Sequence, residues 1–127
     1  MKVIIRYILC ILAVILLVQC KKDEPQVIIT DNNFLKALIG LGIDTDGDGE
    51  ISYAEAEVVT SLDVSWDSIS EMTGIEKFVD LETLICNGNQ LIALNITNNP
   101  DLSHLECGWN QLNALDVSNN TALGTLI

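Results

Sequence analysis

Basic residues are scarce in most of this chain. Of the six Lys and Arg residues, Lys2 and Arg6 precede Cys20, while all 18 acids follow it; residues 20–127 therefore carry four bases against 18 acids, a formal charge of −14. Phosphate binding needs the opposite sign, which argues against nucleic acid and favours a cation as partner. Histidine occurs once, at His104. With no second His or Cys at ligand spacing, it reads as a solvated surface residue rather than a metal ligand or base. Aromatic residues make up only 5% of the chain and proline occurs twice. There is no Ser/His/Asp set in a plausible context, no Gly-rich phosphate loop and no His-rich metal site, so no catalytic constellation emerges and the chain reads as a non-enzyme. No apolar run is long enough to span a bilayer. The longest, residues 8–18, falls short of the roughly 20 residues required.

That short run follows a basic start and closes on Leu17-Val18-Gln19-Cys20, the pattern of a secretory signal. It resembles the lipobox of bacterial lipoproteins, although Gln19 stands where a small residue is usual. The resemblance implies a signal peptide over 1–19, lipidation of Cys20 and a polar tether over 20–30. The charged Lys21-Lys22-Asp23-Glu24 stretch is similar to the surface-export signal behind the lipid of some Gram-negative lipoproteins. The implied location is the bacterial cell envelope, as an outer-membrane lipoprotein, surface-exposed if that signal is used.

Apolar Phe34, Leu35, Leu38, Ile39 and Leu41 recur at helical spacing after Asp31, a plausible N-cap, until Gly40 and Gly42 end the pattern. Next comes Asp44-Thr45-Asp46-Gly47-Asp48-Gly49-Glu50-Ile51-Ser52-Tyr53-Ala54-Glu55. Every position of a 12-residue EF-hand loop is filled, and a hard Ca²⁺ ion needs six to eight oxygens at about 2.3–2.6 Å. Asp44, Asp46 and Asp48 would give side-chain oxygens, Glu50 its carbonyl, Ser52 a direct or water-bridged contact, and Glu55 both carboxylate oxygens. Ile51 would point inward. Ala54, Val58, Val59 and Leu62 give the exit helix an apolar face expected to lie on the first turn of the chain beyond it. The loop is also similar to that of dockerins, but it ends in Glu55 and stands alone.

Residues 81–122 contain a 21-residue repeat: Leu81-x-x-Leu84-x-Cys86-x-x-Asn89-Gln90-Leu91-x-x-Leu94-x-Ile96-x-x-Asn99 aligns at every framework position with Leu102 through Asn120, and Leu123-x-x-Leu126 begins again. Such coils cannot bury their apolar face alone, so they stack with a continuous Leu column between them. The pattern resembles bacterial leucine-rich repeats. Residues 62–78 align at an offset of 22 as a degenerate first coil. Strands are expected near 83–86 and 104–107, and also at 62–64, 93–96, 114–117 and 125–127. The fold class is therefore α+β: a helical EF-hand-like cap over 31–62, then a leucine-rich-repeat solenoid with parallel strands over 63–127. Cap followed by repeats resembles the arrangement of internalin-type proteins. The exposed strand edge at the C-terminal side reads as a truncated relative of a longer repeat protein, or as an end that packs on a partner.

Cys86 and Cys107 take equivalent core positions. Neighbouring strands bring their Cα atoms within bridging range, yet side chains stacked in parallel have poor torsions for a disulfide, so free thiols are the plainer reading. Outward positions form columns: Thr83, His104, Thr125; Ile85, Glu106, Ile127; Asn87, Gly108. Trp66, Gly88 and Trp109 share one repeat position, which predicts two indoles flanking a gap of about 9.6 Å, two strand spacings, able to take a flat ring. Packing of the indoles over turns is the alternative. Trp66, Trp109, Asn87, His104 and Glu106 are thus the expected ligand-binding residues. Asp67-Ser68-Ile69 also resembles a bacterial O-glycosylation site. These readings point to a lipid-anchored recognition or adhesion module for protein or glycan with a structural calcium site. The alternatives are a dockerin-like docking component, or an accessory part of a larger surface protein or enzyme.

Overall fold

The computed structural model describes residues 24–127. The expected signal segment and the lipidation site Cys20 lie outside them. Among the described residues no helix is long and apolar enough to cross a membrane.

Helix α1 spans Asn32–Gly40 and α2 spans Tyr53–Glu57, flanking the acidic loop. Four short strands come next: β1 Ser61–Asp63, β2 Thr83–Ile85, β3 His104–Glu106 and β4 Thr125–Leu126. They form one parallel sheet in sequence order. Leu62 pairs with Leu84, Leu84 with Leu105, and Leu105 with Leu126. The 22-residue and 21-residue offsets read from the sequence therefore set the register, and β1 straddles the expected junction at 62/63. Leu62, Leu84 and Leu105 are buried, whereas Leu126 is 51% exposed. One core runs from α1 to the third coil. It includes Phe34 and Phe78, whose rings lie 6.5 Å apart and tilted.

Two expectations about secondary structure are corrected. No strand forms at 93–96 or 114–117. There the backbone groups are taken locally: Asn95 Oδ1 accepts from the Thr97 amide and hydroxyl, Asp116 Oδ1 from the Ser118 amide, and the Asn99 and Asn120 amides donate to the carbonyls of Ile96 and Val117. Side chains that satisfy their own turn leave no ladder to extend. The exit helix is also shorter than its apolar spacing implied. It ends at Glu57 and buries Ala56, while Ala54 is exposed and Val58 is 69% exposed. Pairing with Ile85 and its neighbours claims residues 61–63 for β1, which pulls Leu62 into the sheet register rather than onto a helix face.

Asn residues stitch the coils together. Asn89 Nδ2 donates to the carbonyls of Val64 and Cys86, Asn110 Nδ2 to those of Cys86 and Cys107, and Asn99 Nδ2 to those of Ile75 and Phe78. Each amide thus reaches carbonyls of the preceding coil, satisfying buried acceptors at the corners.

Asp31 joins the helical part to the repeats. Its Oδ1 accepts from the amides of Asn33 and Phe34, capping α1, and its Oδ2 accepts from the Ser70 amide and hydroxyl in the first coil. Burial opposes ionisation, but the Ser70, Phe34 and Asn33 donors outweigh it and hold the pKa down from 3.8 to about 2. A depressed carboxylate stabilises the fold above its ordinary pKa and loses that contribution as pH falls toward about 2. Asp31→Asn should therefore cost about 1–2 kcal/mol at neutral pH. In urea titrations at falling pH, the gap to wild type should narrow between about pH 4 and 2; a gap that stays constant would remove the charge from the account.

Cys86 and Cys107 are free thiols, the first buried and the second partly so. Burial pushes the Cys86 thiol up to about 12, with Cys107 adding to the effect, and burial also raises Cys107. Thiolates are the reactive species. Peptide-mapped alkylation of the native protein should label Cys107 slowly and leave Cys86 unlabelled until denaturant is added. Failure of both to react in denaturant without reductant would show a disulfide instead.

Candidate functional site

The acidic loop is shaped by its own amides. Asp44 Oδ1 accepts from the amides of Gly47 and Asp48, and Asp44 Oδ2 from Gly49. Gly47 and Gly49 both have positive φ, at 76° and 87°, a conformation glycine adopts without a Cβ penalty. The loop folds inward as a result. Carboxylate oxygens of Asp44, Asp46 and Asp48 all lie within 4.8 Å of one another. Ile51 is buried at 1% exposure.

Glu55 is not in that group of three. Its Oε1 accepts from the Thr45 amide and hydroxyl, at 2.7 and 2.8 Å, and its Oε2 from the Ser52 amide and hydroxyl, both at 2.9 Å. Ser52 in turn caps α2, completing a capping box. Burial works against the Glu55 charge, but the Ser52 and Thr45 donors hold its pKa down at about 2. Glu50 is exposed, and its amide donates to Asp48 Oδ1. A cation placed among Asp44, Asp46 and Asp48 meets three oxygen donors of the hard kind that Ca²⁺ prefers. For Glu55 to add both oxygens, the ion would have to replace donors from Thr45 and Ser52.

One partner of the loop gave no periodic signal in the sequence. The Val27 amide donates to the Ile51 carbonyl at 2.7 Å, the Tyr53 amide to the Pro25 carbonyl at 2.9 Å, and Gln26 bridges antiparallel to Ser52. The chain before α1 thus lies along the end of the loop. The β-branched run Val27-Ile28-Ile29 after Pro25 was the available clue.

On the outer face of the sheet, His104 Nε2 lies 2.9 Å from Glu106 Oε1, and Asn87 Nδ2 donates to Glu106 Oε2 at 2.8 Å. Asn87 Oδ1 accepts from the Gly108 amide. The His104 ring and the Asn87 amide hold the Glu106 carboxyl below the usual carboxylate range, with Asp63 opposing them. Three of the five expected ligand-binding residues, Asn87, His104 and Glu106, therefore form one connected polar group.

The expected gap between the two indoles is corrected. Trp66, Gly88 and Trp109 all adopt left-handed backbone, with φ of 63°, 68° and 55°. A Cβ added at Gly88 would lie 2.2–2.6 Å from three ring atoms of Trp66. The Trp66 ring thus lies over the Gly88 Cα and fills the space from one side. Even so, Trp66 is 69% exposed and Trp109 is 83% exposed. Repeat alignment placed the two Trp at one position but could not show the left-handed backbone. Gly88 between them was the signal for it.

No protein-family model matches the chain. Internalin J of Listeria monocytogenes serotype 4b (strain F2365) is 37% identical over 69 residues, 54% of this chain. The solved functional domain of InlJ from Listeria monocytogenes, which includes a cysteine ladder, is 42% identical with a TM-score of 0.59 over 61% of this chain. The internalin inlF from Listeria monocytogenes is 25% identical with a TM-score of 0.69 over 76% of this chain. The chain spans 7% of internalin J and 17% and 29% of the two solved chains.

Proposed function

We propose, taking as premise the internalin-like leucine-rich-repeat fold of this chain, that it is a recognition module of the bacterial cell envelope, anchored by lipid on Cys20 and stapled by calcium. The observation that carries the recognition role is the pair of exposed indoles held beside the outward columns of the sheet. A non-glycine residue in left-handed backbone costs roughly 1–2 kcal/mol, and Trp109, with most of its surface in solvent, recovers little of that by packing. Strain retained at an exposed aromatic is the mark of a site selected for contact rather than stability. Protein or glycan ligands both suit such a face, since buried Trp anchors dominate many interfaces.

Calcium would be held by Asp44, Asp46, Asp48, the Glu50 carbonyl, Ser52 and Glu55, in an EF-hand-like helical cap at the end of the solenoid. Its contribution would be to neutralise carboxylates that crowd one another. The chain's own contribution is the pairing of residues 25–27 with residues 51–53, which stands in for the second loop that EF-hands usually have.

Glycan-array and pull-down binding of the calcium-loaded protein tests the recognition role. Trp66→Ala and Trp109→Ala should each weaken captured ligands about tenfold or more, in the range of aromatic anchors. Captured ligands that bind both variants as well as wild type would remove the indoles from the site.

A further inference from the structure

Resting on the recognition role above, we infer that the outer face of the sheet docks an extended basic segment of a partner protein, with its Lys or Arg side chains seated between Trp66, Asp63, Glu106 and Trp109. Asp63, Ile85 and Glu106 are register partners on three adjacent strands. Two carboxylates therefore flank one aliphatic side chain on a single row, about 9.6 Å apart at strand spacing. An extended peptide rises about 3.4 Å per residue and its side chains alternate between faces, so cationic side chains two residues apart share one face, about 6.8 Å apart, and their long flexible stems cover the remaining separation.

Trp66 and Trp109 follow Asp63 and Glu106 by three residues in their coils. Trp66 rests one ring face on the Gly88 Cα and is 69% exposed, which leaves a flat surface open to solvent. Such a surface attracts guanidinium and ammonium groups through the ring quadrupole. His104 and Asn87 fix the Glu106 carboxylate in place, so its orientation costs little on binding. Charge complementarity points the same way. Across residues 24–127 there are 17 Asp and Glu against Lys36 and Lys77, and the near neighbour of the Glu106 carboxylate on the His104 side is an imidazole nitrogen at 2.9 Å. Lys77 lies over the Tyr53 ring, 5.0 Å from its centroid, and Lys36, Asp63 and Asp67 line one cleft beside α1. Asp63 Oδ1 accepts from the Ser65 amide and hydroxyl, which holds that carboxylate in place, and among the described residues no Lys or Arg pairs with Glu106, so a partner's cation is the complement the Glu106 side of this row lacks.

A fluorescent six-residue peptide alternating Arg and Val, titrated into the full calcium-loaded chain, tests this against a Glu/Val peptide and against spermine. The Arg/Val peptide should bind, weaken about tenfold between about 50 and 500 mM salt, and lose about tenfold with Asp63→Asn/Glu106→Gln and about fivefold with Trp66→Ala. Asp80→Asn/Asp101→Asn, which removes the same charge from exposed turn positions, should change affinity by less than about twofold. An equal loss in that control, equal binding of the Glu/Val peptide, or spermine matching the peptide would overturn the inference. So would no binding at all. If ligands from the glycan array or pull-down still depend on Trp66 and Trp109 while the basic peptide does not bind, only this inference falls. If neither depends on them, the recognition role falls too.

Discussion

Leu84→Ala is expected to destabilise the protein by about 3–5 kcal/mol, and Leu126→Ala by less than about 1 kcal/mol, although both occupy the same framework position of the repeat. Leu84 is fully buried between its register partners Leu62 and Leu105, so truncation loses transfer energy and leaves a cavity walled by strands that cannot close over it. Leu126 has Leu105 on one side and is 51% exposed, so far less is lost. Against a total stability of about 5–15 kcal/mol for a domain, the first change is severe. Urea midpoints at unchanged slope measure both. Equal losses at the two positions would contradict a core that thins toward β4.

Replacing calcium with chelator should lower the melting temperature by about 5–15 °C. An extracellular-type site with a dissociation constant near 10⁻⁴ M, in about 2 mM calcium, contributes roughly 1.8 kcal/mol by mass action. Each kcal/mol moves the midpoint of a domain this size by about 4–8 °C. Asp48→Asn removes one of the three converging carboxylates without disturbing the Asp44 turn. Its melting temperature should depend little on calcium. Superimposable wild-type melts in calcium and chelator would defeat the staple.

The Leu column is legible in the sequence because a fixed period forces chemically equivalent residues into register, and every pairing among Leu62, Leu84, Leu105 and Leu126 derives from it. The convergence of Asp44, Asp46 and Asp48 is legible for a similar reason, as alternate positions around a glycine-permitted turn. Residues 93–96 and 114–117 mislead because Leu94 with Ile96, and Leu115 with Val117, alternate as a strand does. Burial alone produces that alternation, and Asn95 and Asp116 commit the neighbouring amides to turns. Glu55 reads as a ligand from its place in the loop, whereas its hydrogen bonds to Thr45 and Ser52 depend on three-dimensional closure that spacing does not report. The Trp66 ring over Gly88 is hidden for the same kind of reason. A left-handed backbone at a Trp runs against its local preference, and only the neighbouring coil shows it.

The pairing of residues 25–27 with residues 51–53 gives the molecule a defined mechanical entry point. Tension arriving along the chain from the N-terminal side would reach the Tyr53–Pro25 and Val27–Ile51 hydrogen bonds and the packing of residues 27–29 on Gly74 of the first coil before it reaches the later coils. That anchorage would carry the load ahead of the pairings among Leu84, Leu105 and Leu126, so the later coils keep their outer face in shape while it holds.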